Sequence, residues 1–142
     1  MEFSEEFFSR IVVFEGFKAK AYRCPAGVWT IGFGTTKGVR EGMTVTQEQA
    51  YKLLEDDARL LARKITSLAV SFTQNQFDAV GLFCYNLGFS AFKSSTLFKV
   101  IKTNPYDEKI ESLWMQWVYS KGKVLRGLKI RRKAECNLYF GR

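Results

Sequence analysis

The chain has 142 residues, a formal net charge of +8 and no histidine. That length suits one domain, or two lobes sharing a connecting element, and a hydrophobic fraction of 46% is enough to build a core. Without histidine, Ser-His-Asp and Cys-His nucleophilic catalysis and His-based zinc sites are excluded. The positive charge favours polyanions, with nucleic acid, acidic membranes and anionic cell-wall polymers all as candidates. Cys24, Cys84 and Cys136 are scattered, odd in number and without C-x-x-C spacing, which fits a reducing compartment better than a disulfide scaffold. The N-terminal MEFSEEFFSR is acidic and lacks the pattern of a secretory signal, and no apolar run is long enough to span a bilayer. If the substrate lies outside the cytoplasm, a separate factor must release the protein.

In chain order, residues 4–15 form a short amphipathic helix capped by Ser4. Glu5 and Glu6 sit at its positive end, Phe7, Phe8, Ile11, Val12 and Phe14 supply the apolar face, and Gly16 terminates it. Residues 17 to about 39 read as a small twisted antiparallel sheet with a turn at Pro25-Ala26-Gly27. Period-2 alternation places Val28, Thr30 and Gly32 on one face, leaving the Thr30 hydroxyl room to meet a ligand. Thr46-Gln47-Glu48-Gln49 is a capping box that opens a connecting helix over residues 46–68. Thr73 caps a second helix that is apolar nearly all round, hence central. Short helices follow at about Ser95 to Lys102 and Asp107 to Tyr119, with Trp114 and Trp117 in the core. The last helix covers roughly Leu128 to Phe140, with Ile130, Ala134 and Leu138 as its buried stripe. The fold class is α+β, with the sheet near the N-terminus.

Glu15 follows Val12-Val13-Phe14 at the negative end of a helix. Apolar neighbours and the helix dipole both disfavour the ionised carboxylate, the condition a general acid requires. The structural alternative is a solvated helix-terminal glutamate. Cys24 lies nine residues on and Thr30 six further; alone, each also reads as an ordinary buried thiol and an ordinary strand residue. The glycines from Gly32 to Gly38 lack phosphate-loop spacing and read as a sheet-edge turn.

Taken together, Glu15-Gly16, Tyr22, Cys24, Gly27, Thr30-Ile31-Gly32 and Gly34 resemble the phage-type lysozymes, the muramidase endolysins of tailed bacteriophages and prophages. That family carries Glu, eight residues, Asp or Cys, five residues, then Thr, and the spacing here is the same. The resemblance continues through Thr46 and Gln49-Ala50, Phe83-x-Tyr85-Asn86-x-Gly88, Ser95-Thr96-Leu97, and Gly127-Leu128 with Arg131-Arg132-x-Ala134-Glu135.

The resemblance implies a single lysozyme-like domain over residues 1–142, comprising the helix 4–15, a β lobe over about 16–45, the connecting helix over about 46–68 and a helical lobe over about 69–142. It also implies hydrolysis of the β-1,4 bond between N-acetylmuramic acid and N-acetylglucosamine in peptidoglycan. Glu15 would protonate the leaving oxygen, with Cys24 and Thr30 flanking a water on the opposite face of the sugar. The thiol stands where a two-carboxylate enzyme has an ionised aspartate. Arg131 aligns with an arginine that the family places beside its glutamate. Asn86, alternatively a helix cap, would offer its amide to N-acetyl groups.

No cofactor or metal is implied. The partners are peptidoglycan glycan strands and a separate membrane pore protein for release, with no specific nucleic acid and a monomeric state. The protein would wait in the host cytoplasm and then act on the wall. Two rivals stand beside this reading: a catalytically silent basic module that binds glycan or membrane, and a nucleic-acid-binding domain without a recognisable motif.

Overall fold

The computed structural model describes residues 1–142. It contains two compact units, one of Phe8–Leu60 and one of Met1–Phe7 with Leu61–Arg142.

The Phe8–Leu60 unit contains most of α1 (Glu5–Glu15), the hairpin of β1 (Lys18–Arg23) and β2 (Trp29–Gly32), and the first turns of α2 (Gln47–Thr66). The two strands pair antiparallel with Tyr22 opposite Thr30 and Arg23 opposite Trp29, and a bulge interrupts the ladder between Lys18 and Tyr22. Residues 43–45 extend the other edge of β1, since Ala21 N donates to Met43 O and Val45 N to Ala19 O. The turn falls at Pro25-Ala26-Gly27, as the sequence indicates, with Gly27 at φ 81°. Ile31 and Thr35 exchange both backbone hydrogen bonds at 2.9 Å, so Gly32–Gly34 is a tight reversal at the end of the sheet. Gly32 is required there. Its φ is +65°, and a Cβ would lie 2.9 Å from Ala50 Cβ on α2. Thr46 and Gln49 close the capping box of α2 reciprocally, at 2.9 and 3.1 Å.

The second unit is helical. It holds α3 (Gln74–Leu87), α4 (Phe89–Lys93), α5 (Thr96–Thr103), α6 (Lys109–Trp114) and α7 (Arg126–Tyr139), with a small hairpin of β3 (Tyr119–Ser120) and β4 (Lys123–Val124) before the last helix. Central α3 is capped by a Thr73–Gln76 box and is buried from Gln76 to Cys84. Its main partner is α7. Phe83 lies edge-on to Phe92, Trp114 and Trp117 with centroids 5.4–5.6 Å apart, each such pair adding about 0.5–1.5 kcal/mol beyond area burial. The N-terminus is tied to α3 through Asp78, which accepts from Ser4 N at 3.0 Å and from the Ser4 hydroxyl. Phe3 stacks on Phe7 and covers Gly81, where any side chain would strike its ring.

Three expectations are corrected here. The helix expected to reach Tyr119 stops at Trp114, because Lys121 (φ 52°) and Gly122 (φ 78°) form a two-residue hairpin turn between β-formers. Trp117 is only partly buried, while Trp114 is wholly so. Ile130 is 58% exposed rather than part of a buried stripe. The inner face of α7 carries Arg131, Arg132 and Glu135 instead, which is tolerable only because these charges pair with one another.

Candidate active site

Glu15 is the last residue of α1, half-buried, and the chain turns immediately at Gly16, whose φ of 67° and N–H to Val12 O close the helix. Strand β1 follows at once, so the carboxyl lies at a helix-to-sheet corner.

Cys24 directly follows β1, at the mouth of the turn. Its N–H donates to Val28 O at 3.0 Å, and its carbonyl accepts from Gly27 N at 2.8 Å. Backbone hydrogen bonds from Val28 and Ala26 hold the thiol below its ordinary value. Slight burial opposes them, and the Thr30 hydroxyl adds to them. Tyr22 registers both neighbours: burial first, then the Glu15 carboxylate and the Cys24 sulfur, push its phenol up. Glu15, Tyr22, Cys24 and Thr30 therefore share one electrostatic neighbourhood.

Thr30 differs from expectation. It is only 5% exposed, and its hydroxyl donates to Val28 O at 2.9 Å. A hydroxyl has one proton, so donation to the Cys24 sulfur competes with donation to Val28. The helix α2 approaches the sheet closely at Gly32, on the same face of β2 as Thr30. Sequence reasoning also passed over Asp57 on α2, whose carboxyl is pushed up from its ordinary value by burial. Its only signal was an acid at an apolar position of the helical period.

In the helical unit, Glu135 is fully buried and gathers four contacts. It accepts from Arg131 Nε at 3.0 Å, from Arg132 Nη2 at 2.8 Å and from Trp114 Nε1 at 3.1 Å. Arg132 Nε also approaches at 2.8 Å, without an aligned hydrogen, and is a charge contact only. Arg131 Nη2 donates to Leu82 O at 3.0 Å. Arg132 reaches Asn86 Oδ1 at 2.7 Å. Arg131, predicted as a supporting cation, is thus a buried member of this cluster. Arg132 and Glu135, which the sequence presented only as motif letters, form its centre. The available signal was the i,i+3 and i,i+4 spacing of both arginines from Glu135.

The sequence matches the profile of the family described as Phage lysozyme over residues 12–135. The chain belongs to that family. Among curated relatives of this phage lysozyme family member, the endolysin of Acyrthosiphon pisum secondary endosymbiont phage 1 is 40% identical over 146 residues, covering 98% of each chain. The endolysin of Bacillus phage B103 is 36% identical over 144 residues, and the chain spans 54% of that longer protein. Among solved structures, the muramidase domain of SpmX from Asticaccaulis excentricus superposes with a TM-score of 0.87 at 33% identity, covering 97% of both chains. The fold is lysozyme-like α+β, and the enzyme class is glycoside hydrolase acting on peptidoglycan. No helix is long and apolar enough to cross a membrane.

Proposed function

We propose that this lysozyme hydrolyses the β-1,4 bond between N-acetylmuramic acid and N-acetylglucosamine, as an endolysin that opens the host wall. Support comes chiefly from the shared neighbourhood of Glu15, Tyr22, Cys24 and Thr30 in the Phe8–Leu60 unit. Glu15 gives its proton to the glycosidic oxygen as the bond to the anomeric carbon breaks. The oxocarbenium-like centre is met by a water held at Cys24 and Thr30. The Cys24 sulfur, surrounded by backbone donors that favour the thiolate, takes the water's proton in place of an aspartate. Asn86 binds the glycan. The positive charge of the chain draws it to an anionic wall. A membrane pore protein releases the enzyme, which works as a monomer.

The test is loss of turbidity of a peptidoglycan suspension, with mass spectrometry of the released muropeptides. Glu15→Gln is expected to slow clearing roughly a thousandfold, and Cys24→Asp to keep it. The products carry reducing muramic acid ends. Anhydro ends, or clearing by Glu15→Gln at the wild-type rate, would overturn the hydrolytic reading.

A further inference from the structure

Asn86 stands exposed near the C-terminal end of α3, and Arg132 Nη2 donates to its Oδ1 at 2.7 Å. A guanidinium has only donors, so this contact decides which edge of the amide faces it. The oxygen turns toward Arg132, and the –NH2 group is turned away, without a partner in the protein.

Arg132 itself has little freedom. Its side chain is fully buried, with Nη2 also donating to Glu135 at 2.8 Å, Nη1 reaching Trp117 O at 3.5 Å and the guanidinium lying 5.2 Å over the Phe83 ring. Glu135 is fixed in turn by Arg131 and Trp114. A run of buried polar contacts thus ends on one exposed amide. Burial pulls the Arg132 guanidinium below its ordinary value, against the opposing pull of Glu135, yet an arginine does not lose its proton in a protein. The clamp therefore holds at every working pH.

We infer that Arg132 is a positioning residue that makes Asn86 an obligate hydrogen-bond donor toward the glycan, selecting strands that present an N-acetyl carbonyl oxygen there. This rests on the glycan-binding part of the proposed function. A free asparagine presents either edge of its amide. One clamped by its oxygen offers only N–H groups, which suit a carbonyl acceptor. The same N–H groups face the ammonium of a de-N-acetylated amino sugar donor to donor, leaving polar groups unpaired. The arrangement discriminates between the two sugars without any charge of its own.

The experiment uses soluble, uncrosslinked glycan strands in two forms, N-acetylated and chemically N-deacetylated. Dissociation constants are measured by calorimetry in the Glu15→Gln background, and turnover as reducing ends with Glu15 intact. Asn86→Ala and Arg132→Lys should each weaken binding of acetylated strands roughly three- to tenfold, the loss of turnover falling on KM more than on kcat. The double variant should bind no more weakly than Asn86→Ala alone, because both remove the same contact. Asn86→Asp keeps a partner for Arg132 and leaves the core untouched, but presents an acceptor. It should bind acetylated strands more weakly and deacetylated strands more tightly than the parent. Additive losses in the double variant, or an Asn86→Asp preference equal to the parent's, would overturn the inference. If Arg132→Lys fails to fold, the Asn86→Asp contrast decides by itself. Absence of reducing ends with the binding contrast intact would sink the hydrolytic reading and leave the positioning role standing.

Discussion

Two groups of polar side chains set the character of the two units, and they are held in opposite ways. Glu15, Cys24 and Thr30 are fixed by backbone: a helix end closed by Gly16, a turn closed between Cys24 and Gly27, and a strand pressed against α2 at Gly32. Arg131, Arg132 and Glu135 are fixed by one another along α7, and by Trp114, Leu82 and Asn86 on other elements. The first group keeps a reactive sulfur within reach of solvent, since Cys24 is partly exposed. The second group contains no reactive atom and is sealed from water. Chemistry is carried by local geometry, whereas rigidity is carried by buried charge whose removal is costly.

Breaking the second group gives the largest loss of stability. Glu135→Ala strands two buried guanidinium groups, and urea denaturation should show a loss of about 3–5 kcal/mol. A loss under about 1 kcal/mol would mean that water replaces the carboxylate, and the contrast between the units would fail.

Gly32→Ala probes the first group. It forces a left-handed backbone on alanine and drives its Cβ into Ala50, so thermal denaturation should report a loss of roughly 1–3 kcal/mol. Unchanged stability would show that the strand does not depend on this close approach.

Thiol chemistry sharpens the comparison further. Cys24, held below its ordinary value, should alkylate faster at neutral pH than an unperturbed thiol and stop wall clearing as it does so. Burial pushes Cys136 up from 9.0 to about 11 and raises Cys84 as well, so both should react only after unfolding. The sign for stability follows. The folded state keeps protons that the unfolded chain releases near the ordinary thiol value of 9.0. That contribution is complete below this value and is lost as pH rises through about 11. Urea midpoints measured across this alkaline range should fall, and should fall less for Cys136→Ala.

The smallest effect is expected at the exposed Arg59–Asp56 pair, 2.6 Å apart and more than half exposed on both sides. Arg59→Ala should change stability by less than about 0.5 kcal/mol. A larger change would mean that exposed pairs rival buried ones here.

Local features were legible in the sequence. The capping boxes at Thr46 and Thr73 name both their donors and their acceptors within four residues, and the hairpin turn at Pro25-Ala26-Gly27 follows from residues that favour turns. The β3–β4 hairpin was missed because Trp114, Trp117 and Val118 continue a helical period, and the period outweighed the turn signal of Lys121-Gly122. Arg131 and Arg132 sit among Lys129, Lys133 and Arg126, so composition presented a basic surface. Their burial depends on Trp114 and Asn86, which are distant in the chain.

The sequence by itself determined the α+β order, the family, and the Glu15–Cys24–Thr30 spacing, because each is encoded by neighbours a few residues apart. Tertiary structure alone decided which charges of α7 go inside, why Thr30 is enclosed, and which edge of Asn86 is presented. Those outcomes depend on desolvation and on partners supplied by other elements, and neither can be read from local order.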